Sequence, residues 1–241
     1  IGIEGSVLTQ TKDGVKTKIE KPMPSHIEAI QYVFDALTNE EYGLVKNIDE
    51  IDAIGHRIVH GGDVTASQII TPELKEKIKE YAKFAPLHNP AGLLGVEACE
   101  KIAPGKPNVA VFDTAFHSTM EPRNFLYALP YEFYEKYGIR KYGFHGTSHN
   151  FITNKTAEVL GKNLEDLNMI SAHLGNGSSI CAVKNGKSFD TSMGLTPLEG
   201  LVMGTRSGDL DAAIVTYIME NEGLTPAQMN NLLNKESGVL E

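Results

Sequence analysis

Residues 171–179 read SAHLGNGSS, a buried strand that breaks at a glycine-bearing turn and then starts again. Met169, Ile170 and Ala172 supply the incoming strand, and Ile180, Ala182 and Val183 the outgoing one. With Gly175 and Gly177 on either side of Asn176, the backbone is free to take positive φ and to bring successive N–H groups close to an anion. Ser178 and Ser179 would add hydroxyl donors. The same residues also suit a plain hairpin, because Asn-Gly is the strongest short hairpin signal and needs no ligand. The eight histidines offer a second chemistry, with two H-x-x-x-H spacings, His56/His60 and His145/His149, of the kind a metallohydrolase uses. Geometry speaks against it. Along a strand the first pair stands roughly 13 Å apart, and the second straddles a turn and lacks the helical glutamate of H-E-x-x-H.

These residues need a scaffold, and the pattern along the chain supplies one. Residues 1–21 alternate around Lys12-Asp13-Gly14 as strand, turn and strand. Ser25 followed by Glu28 reads as a capping box ahead of Ile27, Ile30, Val33, Phe34 and Leu37 at helical spacing. Residues 52–60 read as a strand with Gly55, Arg57 and Val59 on one face and Ile54, His56 and Ile58 on the other. Thr71-Pro72 and Asn89-Pro90 each start a helix with a polar cap and a proline at its first position. Residues 109–112 form a short apolar run typical of a buried parallel strand, and it delivers Asp113 at its carboxyl end. An aromatic, proline-punctuated stretch over 122–142 then marks a crossover. Beyond it come a turn and a helix capped by Ser148, three antiparallel strands with Lys184-Asn185-Gly186-Lys187 as a second tight hairpin, a helix over 210–220, and a last helix capped by Thr225 and Gln228.

The totals narrow the partners. The chain has 241 residues, 41% of them hydrophobic and 22% charged, which is enough for one large domain or two of medium size. Two are expected, over 1–115 and 116–241. A formal charge of -9 and a pI near 5.4 argue against nucleic acid or an anionic membrane surface, so an anionic ligand would need local arginines. Cys99 and Cys181, each in an apolar segment, read as reduced thiols of a cytoplasmic protein. No run approaches the ~20 apolar residues that span a bilayer. The chain opens on Ile1 instead of methionine, which fits a natural start further upstream.

Five stretches stand out together: GHRIVHGG at 55–62, VFDTAFH at 111–117, YGFHGTSH at 142–149, HLGNGSS at 173–179 and GTRSGDLD at 204–211. In order, and with PLHNPA at 86–91 and MGLTPLEGLVMGTRSGD at 193–209, they closely resemble the acetate kinases. The resemblance implies an α/β fold of the acetate and sugar kinase and actin-like ATPase type. Two related domains close over ATP and acetate in it to give acetyl phosphate and ADP, with Mg²⁺ or Mn²⁺, in a cytoplasmic homodimer. The family's first strand and its carboxyl-terminal glutamate and adenosine loop find no counterpart here. The expectation is therefore a central portion with both domains incomplete, inactive by itself.

Residue by residue, the resemblance implies that Arg57 binds the substrate carboxylate and that Val59, Leu87, Phe144 and Pro197 enclose its methyl group. An arginine fork matches a planar carboxylate or phosphate, though Arg57 also fits a structural ion pair. Arg206 and His145 would contact the transferring phosphoryl group, and His173, Leu174, Gly175, Asn176 and Gly177 would line the nucleotide phosphates. Asp113 holds the position that the family labels acid or base. A carboxylic acid with a pKa near 4.3 is already ionised at pH 7 and needs no base. Positioning suits Asp113 better, either of Mg²⁺ through its water shell or of other ligands. No direct metal ligand is expected within the chain. His26, His56 and His60 read as core or cap residues, while His88, His117 and His149 lie nearer the motifs. A propionate or butyrate kinase, or a non-catalytic actin-like nucleotide-binding module, are the competing readings.

Overall fold

The computed structural model describes residues 4–86 and 88–239. They fall into two compact units, Ile1–Ile58 with Ser67–Val111, and Val59–Ala66 with Phe112–Glu241.

In the first unit, strands β1 (Val7–Lys12) and β2 (Val15–Glu20) pair antiparallel with Lys12 opposite Val15. Between them Asp13 and Gly14 have φ of 51° and 81°, the paired left-handed conformation of a tight hairpin turn. Helix α1 (His26–Leu37) starts at Ser25, whose hydroxyl accepts the Ile27 N–H and bonds the Glu28 carboxylate. A second sheet orders β3 (Ile54–Ile58), β4 (Gln68–Ile69) and β5 (Asn108–Phe112) as β3-β5-β4, with β4 antiparallel to β5. Helix α2 (Pro72–Glu80) is capped by Thr71, which accepts from the Leu74 N–H. Helix α3 (Asn89–Ile102) packs on α1, and Phe34, Cys99 and Ala103 form the core there, with Ile30, Ile48, Ile51, Ile54 and Ile102 against them. A fully buried large side chain such as Phe34 contributes about 1.5–3 kcal/mol by leaving water, and the partly buried isoleucines less.

Two expectations shift here. Asn89 does not cap α3: it is fully buried, and its amide donates to the Ile78 carbonyl at 3.0 Å, tying α3 to α2. The strand expected over 52–60 is shorter. It ends at Ile58, and Val59 and His60, which follow, are both buried, so the alternation that put Val59 on the face of Arg57 stops before it arrives. Arg57 belongs to the first unit and Val59 to the second.

In the second unit the aromatic stretch forms two short helices, α4 (Pro122–Phe125) and α5 (Tyr131–Tyr137), with the Arg140 guanidinium 3.5 Å from the Phe125 ring centroid. Helix α6 (Gly146–Leu160) packs on β6 (Met169–Leu174), the first strand of an antiparallel sheet ordered β6-β7-β8, completed by β7 (Ser178–Lys184) and β8 (Lys187–Thr191). The β7–β8 turn has Asn185 at φ 51° and Gly186 at φ 72°. Helix α7 (Ala212–Glu222) begins two residues later than its apolar spacing suggests, because Asp211 caps it by accepting from the Ala213 N–H. Helix α8 (Pro226–Lys235) has the capping box that its sequence announces, with Thr225 and Gln228 satisfying each other's backbone N–H groups.

Candidate active site

Within the second unit, three stretches of chain converge on the β6–β7 loop. The loop is three residues long, since Leu174 pairs with Ser178 across it. Neither Gly175 nor Gly177 adopts a left-handed φ, so the conformational reason for glycine anticipated from the sequence does not apply. The reason at Gly177 is space. A Cβ there would stand 3.2 Å from Arg206 Nη1 and 3.5 Å from His145 Nε2. An arginine and a histidine thus approach the same glycine from different elements.

His145 is the N-cap of α6 and sits in the left-handed region at φ 57°, ψ 20°, costly for a residue with a Cβ. The helix begins before Ser148, which does not cap it; the Ser148 hydroxyl bonds His173 Nδ1 at 3.0 Å instead. The His173 ring, on β6, stacks on that of His145 with centroids 4.0 Å apart and planes 24° apart. His145 Nδ1 is 2.9 Å from Ser179 Oγ, and His149 Nε2 is 2.8 Å from the same oxygen. A hydroxyl has one proton, so at least one of these rings donates to Ser179. His149 continues to Ser171 Oγ at 2.9 Å. The hydroxyls expected to face an anion are therefore engaged within the protein: Ser179 serves two imidazoles, and Ser178 donates to the Gly175 carbonyl at 2.8 Å, closing the loop.

His117 extends this network. Its Nε2 lies 2.9 Å from the Phe144 carbonyl and its Nδ1 2.8 Å from Ser188 Oγ. A carbonyl only accepts, so Nε2 carries the proton, and the neutral ring accepts at Nδ1. Burial pushes the pKa of His117 down to about 4. Burial does the same for His149, also to about 4, helped by the neighbouring rings of His117 and His173.

Arg206 lies in the segment between β8 and α7. Its Nη1 donates to the Pro197 carbonyl at 3.1 Å, and burial lowers its pKa. The segment is tied to the β6–β7 loop by the Gly204 N–H, which donates to the Asn176 carbonyl at 3.0 Å. It is tied to α8 by the Thr205 hydroxyl, which donates to the Asn234 carbonyl at 3.1 Å. Asp113 follows β5, is 1% exposed, and accepts through its carbonyl from the Gly146 N–H at 2.8 Å, next to His145. Val59 and Phe144 are buried in the same unit, where the His60 ring stands edge-on to Phe144. Leu174 is 75% exposed. Arg57 is on β3 in the first unit, and Leu87 lies outside the described residues.

Of the expected set, the second unit brings together His145, Arg206, His173, Asn176, Gly177 and the backbone of Asp113. Sequence reasoning missed Ser171, Ser148 and Ser188 as partners of the histidines, and left His117 and His149 aside. A serine two residues from a histidine on alternating strands carries no distinguishing signal, so only pairing across β6 and β7 reveals it.

The model of the Acetokinase family matches residues 1–241. The chain is 62% identical over 241 residues to the acetate kinase of Finegoldia magna, covering 100% of this chain and 61% of the relative. It is 58% identical over 242 residues to that of Desulfitobacterium hafniense (strain DSM 10664 / DCB-2), again covering 100% and 61%. Among solved structures it superposes on Porphyromonas gingivalis acetate kinase with a TM-score of 0.91 at 50% identity, over 100% of this chain and 61% of that one. A propionate kinase from Francisella tularensis gives a TM-score of 0.91 at 46% identity over 99% and 60%. The chain thus spans about three fifths of the length of the relatives it matches.

Proposed function

The chain belongs to the acetokinase family, and from that premise we propose that it forms the central part of a phosphotransferase that moves a phosphoryl group between ATP and acetate. The observation that carries this reading is the approach of Arg206 and His145 to Gly177 from two different elements. An acetate oxygen forms a bond to the γ-phosphorus while the bond from phosphorus to the ADP oxygen breaks. The acceptor carboxylate is ionised at neutral pH, so no proton has to leave it. What the protein supplies is placement and charge.

Arg206, held at one nitrogen by the Pro197 carbonyl, presents its remaining N–H groups to the phosphoryl oxygens, where an arginine is worth about 10³–10⁵ in rate. His145, anchored through Nδ1 by Ser179, turns its Nε2 edge toward the same place. The Gly175-Asn176-Gly177 backbone, His173 and Leu174 line the nucleotide phosphates. Arg57 binds the acetate carboxylate, with Val59, Leu87, Phe144 and Pro197 around its methyl group. Among the described residues no group of three His, Cys, Asp or Glu gathers to hold a metal. Mg²⁺ beside substrate phosphates keeps most of its water and takes only one or two carboxylates, a demand that Asp113 meets as a hard oxygen donor. The ion would offset phosphate charge, and Asp113 would orient it through water. No helix among the described residues is long and apolar enough to cross a membrane. The buried free thiols Cys99 and Cys181 suit a reducing cytoplasm, and the family resemblance adds a homodimer to the proposal.

The test is acetohydroxamate formation by the full-length protein with acetate, ATP, Mg²⁺ and hydroxylamine. Arg206→Ala should lower kcat far more than it raises KM for acetate, and Arg57→Ala should do the reverse. Interchangeable profiles would overturn the division of roles, and absence of hydroxamate would overturn the reaction. The similarity to a solved propionate kinase makes propionate the second acceptor to compare by kcat/KM in the same assay. One methylene is worth only ~1–3 kcal/mol in such a pocket.

A further inference from the structure

One loop touches both halves of the proposed phosphoryl site and carries Pro197 of the proposed acetate pocket. The Gly194 carbonyl accepts from the N–H groups of Tyr142, at 3.0 Å, and Gly143, at 3.2 Å, the stretch that leads to His145. Three residues on, the Pro197 carbonyl accepts from Arg206 Nη1. What holds the loop in place is a half-buried polar pair. The Tyr127 hydroxyl donates to Glu199 Oε2 and accepts from the Leu195 N–H at 3.0 Å, so one oxygen bridges the two ends of the turn. The Glu199 carboxylate lies directly against the Cα of Gly194, where a Cβ would collide with it. The far end of the loop is fixed separately, by the Gly200 N–H donating to Asp209 Oδ1 at 2.8 Å. The loop borders a cleft of about 280 Å³ lined by Tyr127, Leu198, Leu210, Val215 and Leu233, so close packing restrains that side less. Directional bonds must do what packing does elsewhere.

We infer that Tyr127 is a positioning residue for phosphoryl transfer, acting through Glu199 and the 194–200 loop to fix Arg206 and the approach to His145. The inference rests on the roles proposed above for those two residues. The Tyr127 hydroxyl stays protonated, because burial and the neighbouring carboxylate push its pKa upward. Its job is therefore to bridge, and it has no part in moving protons. Losing it leaves the loop attached at Gly200 and through the Gly194 carbonyl but unbridged between Leu195 and Glu199, and a displacement of about 1 Å at a reacting group can cost ~10²-fold in rate.

Three variants of the full-length protein test this. Tyr127→Phe should lower kcat about 10-fold or more while KM for ATP changes less than about 2-fold. Glu199→Gln, which still accepts from the tyrosine, should stay close to wild type, whereas Glu199→Leu should match Tyr127→Phe. The double variant Tyr127→Phe/Glu199→Leu should be no worse than either alone, as expected for one shared interaction. Amide hydrogen exchange gives a readout independent of activity: Tyr127→Phe should speed exchange at Leu195, Tyr142 and Gly143 but leave Gly200 protected. Unchanged exchange at those three amides, or a Tyr127→Phe enzyme with wild-type kcat, overturns the inference. A wild-type protein without hydroxamate activity overturns the proposed function instead, and the exchange pattern still decides the role of Tyr127.

Discussion

The β6–β7 loop and the β7–β8 turn carry the same Asn-Gly pair at opposite ends of one sheet, yet glycine answers a different need in each. At Asn185-Gly186 both residues have positive φ, the conformation a two-residue hairpin imposes. At Asn176-Gly177 the backbone is one that any residue could adopt, and a Cβ would come within 3.2 Å of Arg206 Nη1 and into contact with His145 at 3.5 Å. The Asn-Gly signal in a sequence therefore marks either a turn that makes itself or a surface kept bare for something else. The supports differ as well. The β7–β8 turn is held by Asn168 and Leu167 through backbone N–H groups of Asn185 and Gly186, while the β6–β7 loop rests on Ser179, His145 and His149.

Acid should separate the two most widely. The folded pKa values of His117 and His149, about 4, lie below the ordinary value of 6.5. Between those limits the unfolded chain takes up protons that the fold refuses. Stability is intact above pH 6.5 and falls as the pH drops toward 4, by up to about 3 kcal/mol for each ring. Urea unfolding from pH 7 to 4.5 checks this, and His149→Asn should flatten the slope. In the same window, exchange at Asn185 and Gly186 should track global unfolding only.

Next comes Gly177→Ala. It should lower kcat with a nearly unchanged thermal midpoint, because the new Cβ, 3.2 Å from Arg206 Nη1, makes the guanidinium yield by a few tenths of an ångström without straining the backbone. A large loss of stability with kcat preserved would erase the distinction between the two loops. Gly186→Ala should behave the opposite way. Its Cβ would meet the Leu164 carbonyl at 2.5 Å at a φ of 72°, costing about 1–3 kcal/mol in the urea midpoint and nothing in kcat per folded molecule. Smallest is Gly14→Ala in the β1–β2 turn, at φ 81° but with open space around it, where only the backbone term of roughly 1 kcal/mol remains.

What the sequence disclosed follows from the range of the forces involved. Thr71 and the Thr225/Gln228 box are legible because caps are set by atoms within four residues, whereas the Asp211 cap was missed and α7 was expected to start too early. The two tight turns are legible for the same reason, and so is the antiparallel order of the strands they join. Asn89 misled because a buried amide found a carbonyl eleven residues away, in another helix. Ser148 misled because its hydroxyl is spent on His173 across α6 and β6. The gathering of His145 and Arg206 was expected from the family resemblance and from nothing local. The serine and histidine chain beneath them was visible in no spacing, because pairing across strands creates it.

The return of residues Val59–Ala66 to the second unit has a consequence for the order in which a ribosome makes the molecule. Val59, His60 and Val64 are buried, and the Gly61 N–H donates to the Thr114 hydroxyl. None of these partners exists when the segment leaves the exit tunnel. The aromatic rings that flank His60 belong to Tyr142 and Phe144, about eighty residues later, which at ~5–20 residues per second is a wait on the order of 4–16 s. The first unit can close once residue 111 has emerged, but it must do so with an eight-residue loop hanging from it that leaves Val59 and Val64 uncovered. That loop is the place where a nascent chain of this kind offers itself to a chaperone, and where slowing translation after residue 66 would lengthen the exposure.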